Sequence, residues 1–196
     1  VEPRRLSMAS MSGREKALLM TAIEIEQALE RLAAEIAASE PPTDKLMLVG
    51  IRTRGVPLAR RLAEILKRRH GRDLPVGVLD ITFYRDDLSR IAPNPVVKTS
   101  ELPHDITGRI IVLVDDVLYT GRTIRAALDH LMDYGRPDRV RLAVLVDRGH
   151  RELPIQADYV GRAIPTERNE IVKVMLREVD GEDRVLLVEK EGADDA

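Results

Sequence analysis

The stretch from Ile110 to Thr123, which reads IIVLVDDVLYTGRT, constrains the fold more than any other part of the sequence. It begins with an uninterrupted apolar run, Ile110–Val114, and so short a run of mainly β-branched residues is typical of a strand buried on both faces of a parallel sheet. Asp115 and Asp116 follow, and a loop of glycine and threonine comes next. Apolar residues then recur at helical spacing as far as Gly135, a typical C-terminal cap. The stretch therefore predicts a strand, an acidic pair, a small-residue loop and a helix.

This order of elements points to a particular chemistry. Ligands of open α/β sheets bind at the carboxyl ends of strands, and a loop that leads into a helix N-terminus offers backbone N–H groups to a phosphate. The loop Thr120–Thr123 adds threonine hydroxyls, and Gly121 lets the backbone approach closely. Two adjacent carboxylates would repel a bare polyanion, so Asp115 and Asp116 are expected to face hydroxyl groups, a metal ion or developing positive charge. A ribose 5-phosphate that carries a diphosphate with Mg²⁺ supplies all three, whereas the simpler alternative is a solvated acidic turn.

The stretch resembles the 5-phosphoribosyl-1-diphosphate (PRPP) signature of type I phosphoribosyltransferases. The resemblance implies that Asp115 and Asp116 are the catalytic pair, which holds the ribose and stabilises positive charge at the ribosyl carbon. It also implies that Mg²⁺ is bound mainly through PRPP, with these two carboxylates as further ligands. The residues that would bind PRPP or the nucleotide are Val117, Leu118, Tyr119, Thr120, Gly121, Arg122 and Thr123.

A second loop of the same kind, Arg52–Gly55, follows the apolar run Leu46–Ile51 and precedes a predicted helix, Val56–Arg69. Its backbone N–H groups, guanidinium groups and hydroxyl suit a diphosphate. Alone, such an arginine–glycine turn is a weak signal, because most of them are merely turns. Beside the PRPP signature, it makes the following residues candidates for binding the diphosphate: Thr53, Arg54 and Gly55.

A predicted strand, Val76–Thr82, is followed by a long connection that reaches Pro103. Long loops in compact domains are often functional lids. Tyr84 and Arg85 lie where type I phosphoribosyltransferases carry a mobile loop over PRPP, and such a lid excludes water from the reaction. The alternative is that Tyr84 anchors the core and that Arg85 pairs with a neighbouring aspartate.

The remaining pattern predicts the fold class. Leu142–Val146 is a further buried strand, Ala157–Val160 is a short one, and Ile171–Glu178 and Arg184–Glu189 alternate around Asp180-Gly181 as in a hairpin. Strands that alternate with helices imply an α/β fold with a mainly parallel sheet flanked by helices, here with a flexible lid and a C-terminal hairpin or hood. Within the resemblance, two residues after the Leu142–Val146 strand border the base: Asp147 and Arg148.

The chain divides into a predicted flexible leader (1–13), a single domain (14–190) and a frayed acidic tail (191–196). The first helix is predicted over Lys16–Ala38, and Thr21 and Glu24 have the spacing of a capping box within it. No apolar run approaches the ~18 residues of a membrane span. The sequence has no cysteine, which fits a reducing cytoplasm, and its net charge of −2 excludes nucleic-acid binding driven by bulk charge.

Three segments together resemble the PyrR family, which regulates bacterial pyrimidine operons: Leu79–Leu88, Val114–Thr123 and Leu142–Arg162. The resemblance implies a uracil phosphoribosyltransferase, which converts uracil and PRPP to UMP and diphosphate with Mg²⁺. It also implies a homo-oligomer that binds pyr leader RNA when UMP or UTP is bound. The residues that would contact RNA are Arg31, His150, Arg151, Arg162 and Arg168.

The RNA-binding half departs from the family pattern at Glu30, Ala34 and Gln156. An acidic residue in a phosphate-binding face lowers affinity for RNA. Two alternatives therefore stay open: a uracil phosphoribosyltransferase without RNA regulation, and a nucleotide-sensing regulator without turnover. A purine phosphoribosyltransferase is disfavoured only by the family motifs.

Overall fold

The computed structural model describes residues 13–82, 100–102 and 105–190. The predicted acidic tail, the lid residues Tyr84 and Arg85, and the predicted leader apart from Gly13 lie outside these residues. The described chain forms two sheets, a five-stranded one of order β3-β2-β4-β5-β6 and a three-stranded one of order β1-β8-β7. The strands are β1 Gly13–Met20, β2 Leu46–Ile51, β3 Val76–Leu79, β4 Ile110–Leu118, β5 Arg139–Asp147, β6 Tyr159–Ala163, β7 Glu170–Met175 and β8 Arg184–Lys190. The helices are α1 Ala22–Ser39, α2 Gly55–His70, α3 Arg122–Leu131 and α4 Arg177–Asp180, with a 3-10 turn at Met132–Tyr134.

All neighbours in the five-stranded sheet are parallel, and β4 lies at its centre between β2 and β5. Alternate residues of β4 point into different layers, because side chains alternate across a strand. Ile110, Val112 and Val114 pack with α1 and α2, whereas Ile111 and Leu113 pack with α3. Helices therefore cover both faces of a parallel sheet, which confirms the predicted fold class.

The predicted first helix is wrong over Lys16–Met20, because these residues belong to β1, which also includes Gly13 from the predicted leader. β1 pairs antiparallel with β8 along the edge of the C-terminal hairpin. This pairing with a distant strand outweighs the local helical pattern. The capping box is confirmed: the Glu24 amide donates to Thr21 Oγ1 at 3.3 Å, and the Thr21 amide donates to Glu24 Oε2 at 2.8 Å. The helix begins directly after that cap.

Other boundaries shift without changing the topology. β4 continues through the acidic pair to Leu118, so Asp115 and Asp116 lie within the carboxyl-terminal part of the strand rather than after it. β3 ends at Leu79, earlier than predicted, and β6 begins later, at Tyr159. The predicted C-terminal hairpin is confirmed as β7 and β8, and α4 occupies its connection. Among the described residues, no helix has the length and apolar character that a bilayer span requires.

The connection of the hairpin is attached to α2 by ion pairs. Arg61 of α2 donates to both carboxylate oxygens of Glu178, at 2.8 and 2.6 Å, and to Asp183 at 2.7 Å. These contacts hold the α4 segment beside the first half of α2. The Glu178 hydrogen bond also raises the pKa of Arg61 further above its ordinary value. We call residues 176–183 the hood connection.

Candidate active site

The turn between β4 and α3 is built to expose backbone amides. α3 begins at Arg122, so the amides of its first turn have no acceptor within the helix. Gly121 has φ +93°, in the left-handed region that favours glycine. The Arg122 amide donates weakly to Thr120 Oγ1 at 3.4 Å, and the Thr120 carbonyl accepts from the amides of Glu152 and Leu153, at 2.9 and 3.1 Å. The turn thus presents donors on one side and is held by backbone hydrogen bonds on the other, which suits an anion such as a phosphate.

The acidic pair lies next to this turn. Asp115 is 6% exposed, and its Oδ1 accepts from the Asp116 amide at 2.9 Å. Asp116 Oδ1 accepts from the Val117 amide at 3.0 Å. Asp116 keeps some accessible surface, yet protein atoms surround its carboxyl group, and this burial raises its pKa although Asp115 and Arg54 oppose the shift. A carboxylate so placed stabilises a cation that develops beside it more strongly than it would in water.

The loop between β2 and α2 approaches the acidic pair from the neighbouring strand. A Cβ on Gly55 would lie 2.3 Å from the Val114 carbonyl oxygen and 3.3 Å from the Asp115 Cα, so only glycine allows this contact. The Arg52–Thr53 peptide bond is cis. Arg54 is the N-cap of α2, and its pKa is raised mainly by a hydrogen bond to Asp180 and further by the charge of Asp116.

A cavity of about 450 Å³ opens beside the same loop. Thr53 lines it, together with Asp80 and Thr82 beyond β3 and with Glu178 and Val179 of the hood connection. Asp80 Oδ1 accepts from the Thr82 amide at 2.9 Å, which shapes the chain after β3. The structure therefore brings the predicted loop Thr53–Gly55 together with the acidic pair and a pocket.

The two candidate base residues, Asp147 and Arg148, lie beside Tyr119 in the turn between β4 and α3. Arg148 is 5% exposed, and its guanidinium carbon lies 4.0 Å above the Tyr119 ring centroid. It donates to Thr166 Oγ1 at 3.2 Å and to the Glu167 carbonyl at 3.1 Å, and burial lowers its pKa. Asp147 is paired with Arg151. These contacts support the turn at Tyr119, and that Asp147 and Arg148 border the base stays a prediction.

The candidate RNA residues fall on the β5–β6 edge of the sheet. Arg31 of α1 donates to the Gly161 carbonyl of β6, and the next residue, Arg162, donates to the Leu19 carbonyl at 2.7 Å. His150 Nε2 lies 2.6 Å from the Thr166 carbonyl oxygen. The guanidinium of Arg151 donates to the Tyr119 and Ile155 carbonyls, both at 2.9 Å, so it braces the turn between β4 and α3. Arg168 is exposed in the β6–β7 connection.

The donor set fits a magnesium ion that arrives with its substrate. In the part of the chain that the structure describes, no cluster of three or more His, Cys, Asp or Glu side chains could hold a metal. Mg²⁺ in phosphate sites is typically bound by one or two carboxylates, substrate oxygens and water. Asp115 and Asp116 would provide the carboxylates, and the bound ion would neutralise charge on the substrate phosphates.

Two features of the site were missed in the sequence. Asp180 of the hood connection belongs to no recognisable local motif, yet its carboxylate contacts Arg54 at 2.7 Å. The segment Glu152–Ile155 supports Gly121, whose missing Cβ would lie 3.3 Å from Ile155 Cβ. Both contacts join parts of the chain that are distant in sequence, so short-range spacing carries no signal for them.

The fold and the site define a protein of the phosphoribosyltransferase class, and the family model of the phosphoribosyl transferase domain matches residues 20–177. Among solved structures, the chain is similar to the hypoxanthine phosphoribosyltransferase of Trypanosoma cruzi, with a TM-score of 0.69 and 20% identity over 96% of each chain. It is also similar to a hypoxanthine-guanine phosphoribosyltransferase from Bacillus anthracis, with a TM-score of 0.67 and 17% identity over 90% of this chain and 99% of the other. At these identities the likeness concerns the fold.

Similarity in sequence is much higher to bifunctional PyrR proteins. The chain is 62% identical to the bifunctional protein PyrR of Thermus aquaticus, over 91% of this chain and 98% of the relative. It is 57% identical to that of Pelotomaculum thermopropionicum, over 90% and 98% of the two chains. The chain belongs to the PyrR family.

Proposed function

We propose that this protein is a uracil phosphoribosyltransferase that converts uracil and PRPP to UMP and diphosphate, and that it also regulates pyr operon expression. The observation that carries the enzymatic half is the position of Asp115 and Asp116. They lie between an anion-binding turn, Thr120–Thr123, and a second loop, Thr53–Gly55, packed against the same strand. PRPP has a phosphate, a ribose and a diphosphate in that spatial order.

In the proposed mechanism, the amides of Gly121–Thr123 and the Thr120 and Thr123 hydroxyls hold the 5′-phosphate. Asp115 and Asp116 bind the ribose hydroxyls and stabilise the positive charge that develops as diphosphate leaves. Arg54 and the backbone near Thr53 and Gly55 hold the departing diphosphate. Asp115 and Asp116 would also hold the Mg²⁺ that arrives with PRPP, which would supply charge neutralisation. Positioning and electrostatics account for the rate without a general base.

The test of the enzymatic half is a spectrophotometric assay of UMP formation with the Asp116→Asn variant. The variant keeps the shape of the side chain and removes its charge, so we expect kcat/KM to fall by about 10² to 10³, the range for losing one such electrostatic contact. A wild-type protein that turns over hypoxanthine instead of uracil, or an Asp116→Asn variant with full activity, would contradict the proposal.

The regulatory half is supported by the charge balance around α1. Glu30, which departs from the family's basic pattern, pairs with Arg68 and Arg69 of α2, at 2.8 and 3.3 Å, so its charge is compensated within the protein. Arg31 and Arg162 meet at the β6 edge, where they would face RNA phosphates. UMP or UTP in the PRPP site would promote binding of the pyr leader RNA.

A gel-shift titration with pyr leader RNA, with and without UMP, tests this half. Arg31→Ala should weaken binding and reduce the slope of log K against log salt by about 1, as expected for one lost phosphate contact. Arg136→Ala, an exposed arginine after α3, is the matched control and should leave the slope unchanged. No RNA binding by the wild type at low salt would leave the protein as an enzyme alone.

We also propose that the protein acts in the cytoplasm, where PRPP is made and used, and that it forms a homo-oligomer. Leu18 and Ile23 are 56% and 67% exposed near the junction of β1 and α1, and two large apolar side chains there suit an interface between subunits. Light scattering on the purified protein measures the mass, and a monomer at micromolar concentration would contradict the proposed assembly.

A further inference from the structure

Arg54 is oriented by a carboxylate from the far end of the chain. Its Nε donates to Asp180 Oδ2 at 3.1 Å and its Nη2 donates to Asp180 Oδ1 at 2.7 Å. This two-point contact is the geometry in which arginine and a carboxylate fix each other's orientation most strongly. It leaves the Nη1 group and the second Nη2 hydrogen of Arg54 for a ligand.

Asp180 is itself held in place. Its Oδ2 accepts from the Leu176 amide at 2.9 Å, and its own amide donates to the Leu176 carbonyl at 2.6 Å. Leu176 is buried, so this turn is anchored in the core. Burial alone would raise the pKa of Asp180, but the hydrogen bonds from Arg54 and Leu176 hold it below its ordinary value, and the carboxylate is charged at neutral pH.

Attachment of the hood connection does not explain this contact. Arg61 already ties the hood connection to α2 through Glu178 and Asp183, with three hydrogen bonds of 2.6 to 2.8 Å. The Arg54–Asp180 pair lies about two helical turns away along α2, at the N-cap beside the cavity. The hood connection therefore makes one contact that secures it and another that reaches the proposed diphosphate site.

We propose that Asp180 is a positioning residue for Arg54, and that it sets the affinity of the site for the diphosphate group. This inference rests on the proposed function. Without Asp180, the long Arg54 side chain would sample several rotamers and lose that freedom only when diphosphate binds. With Asp180, the guanidinium is already oriented, and its remaining donors converge on the bound diphosphate. The same contact links diphosphate binding to the hood connection that walls the cavity.

The test compares Asp180→Asn with Asp183→Asn by calorimetry, with magnesium diphosphate and PRPP as the titrated ligands. The two variants remove one carboxylate charge each from the same connection, but Asp183 pairs with Arg61 and not with Arg54. We expect at least tenfold weaker diphosphate and PRPP binding for Asp180→Asn, and a change within twofold for Asp183→Asn. In steady-state assays, Asp180→Asn should raise KM for PRPP and leave KM for uracil within twofold.

A double-variant cycle makes the assignment to Arg54 specific. In an Arg54→Met background, Asp180→Asn should cause no further loss of diphosphate affinity, because the group that it positions is gone. Equal losses in Asp180→Asn and Asp183→Asn would overturn the inference, since both would then act by loosening the hood connection. Unchanged or tighter diphosphate binding by Asp180→Asn would overturn it as well.

The failure of the proposed function is a different result. A wild-type protein that binds magnesium diphosphate but forms no UMP would contradict the enzymatic proposal and leave the role of Asp180 intact, provided that Asp180→Asn weakens that binding. A wild type that binds neither diphosphate nor PRPP would contradict both. Each arm of the experiment therefore supports or overturns the inference on its own.

Discussion

Two loops with the same order of elements, strand, turn and helix, stand side by side at the carboxyl edge of the sheet, and they are held in different ways. The turn Tyr119–Thr123 is held at its main-chain carbonyls, because the Thr120 carbonyl accepts from two amides of the 152–153 segment and the Tyr119 carbonyl accepts from Arg151. The loop Arg52–Gly55 is fixed by close packing of Gly55 against β4 and by the side-chain pair of Arg54 with Asp180.

The difference explains why the first loop was easier to recognise in the sequence than the second. A turn that works through its own amides needs small residues, and a glycine where φ is positive; the sequence shows these as Thr120 and Gly121. A loop that works through an oriented guanidinium depends on its partner, and Asp180 is remote in sequence from Arg54. We therefore expect the turn Tyr119–Thr123 to be most sensitive to changes that alter its backbone, and the loop Arg52–Gly55 to be sensitive to backbone and side-chain changes alike.

The largest effect is expected for Gly55→Ala. The added Cβ would lie 2.3 Å from the Val114 carbonyl oxygen, and the backbone there has no room to move without separating β2 from β4. Overpacking of this kind costs about 3 kcal/mol of the free energy of unfolding. We also expect loss of most PRPP turnover, since the loop would move away from Asp115. Urea unfolding and a UMP assay measure both, and wild-type values for both would refute the packing argument.

Gly121→Ala should have a smaller effect. Alanine at φ +93° costs about 1–2 kcal/mol of the free energy of unfolding. Its Cβ would lie 3.3 Å from Ile155, whose side chain can shift. We expect PRPP affinity to fall, because the turn can relax only by re-aiming its amides.

The matched control for Gly121→Ala is Gly71→Ala. Gly71 is the C-cap of α2 at φ +63°, with open space around its missing Cβ. The Gly71→Ala substitution should lower the free energy of unfolding by a similar amount without affecting PRPP affinity. Equal loss of PRPP affinity in the two variants would show that general strain, and not the aim of the turn, is responsible.

Acid should weaken the ion pairs that join the hood connection to Arg54 and Arg61. Hydrogen bonds to Arg61 hold the pKa of Glu178 below its ordinary value of 4.5, and hydrogen bonds to Arg61 and Arg54 overcome burial to lower those of Asp183 and Asp180. A lowered folded-state pKa stabilises the protein above the ordinary pKa, and that stabilisation is lost as the pH falls below about 4. The free energy of unfolding should therefore drop through this range.

The comparison variant for acid is Glu178→Gln with Asp183→Asn, which lacks two of these carboxylates. Its free energy of unfolding, measured by urea titration at pH 7 and at about pH 3, should fall less than that of the wild type. Asp116 acts in the opposite sense, because burial raises its pKa. An identical drop in both proteins would place the acid-sensitive groups elsewhere.

The part of the molecule that local sequence determines was predictable. The apolar run Ile110–Val114 is buried on both faces as its composition indicated, and the Thr21–Glu24 cap marks the true start of α1. Lys16–Met20 was misassigned, because its strand exists only through pairing with β8 at the other end of the chain. Local spacing also gave no sign that Asp180 orients Arg54, or that Arg151 braces the Tyr119 carbonyl.

The smallest effect is expected for Glu152→Gln. Glu152 Oε2 accepts from Arg122 Nε at 2.8 Å, but the two side chains are 53% and 52% exposed, and exposed pairs contribute little, at most about 1 kcal/mol. The Glu152 amide, which donates to the Thr120 carbonyl, is unaffected by this change. We therefore expect KM for PRPP to stay within twofold of the wild type. A tenfold rise in KM for PRPP would mean that the turn Tyr119–Thr123 also depends on an ion pair, and the contrast between the two loops would disappear.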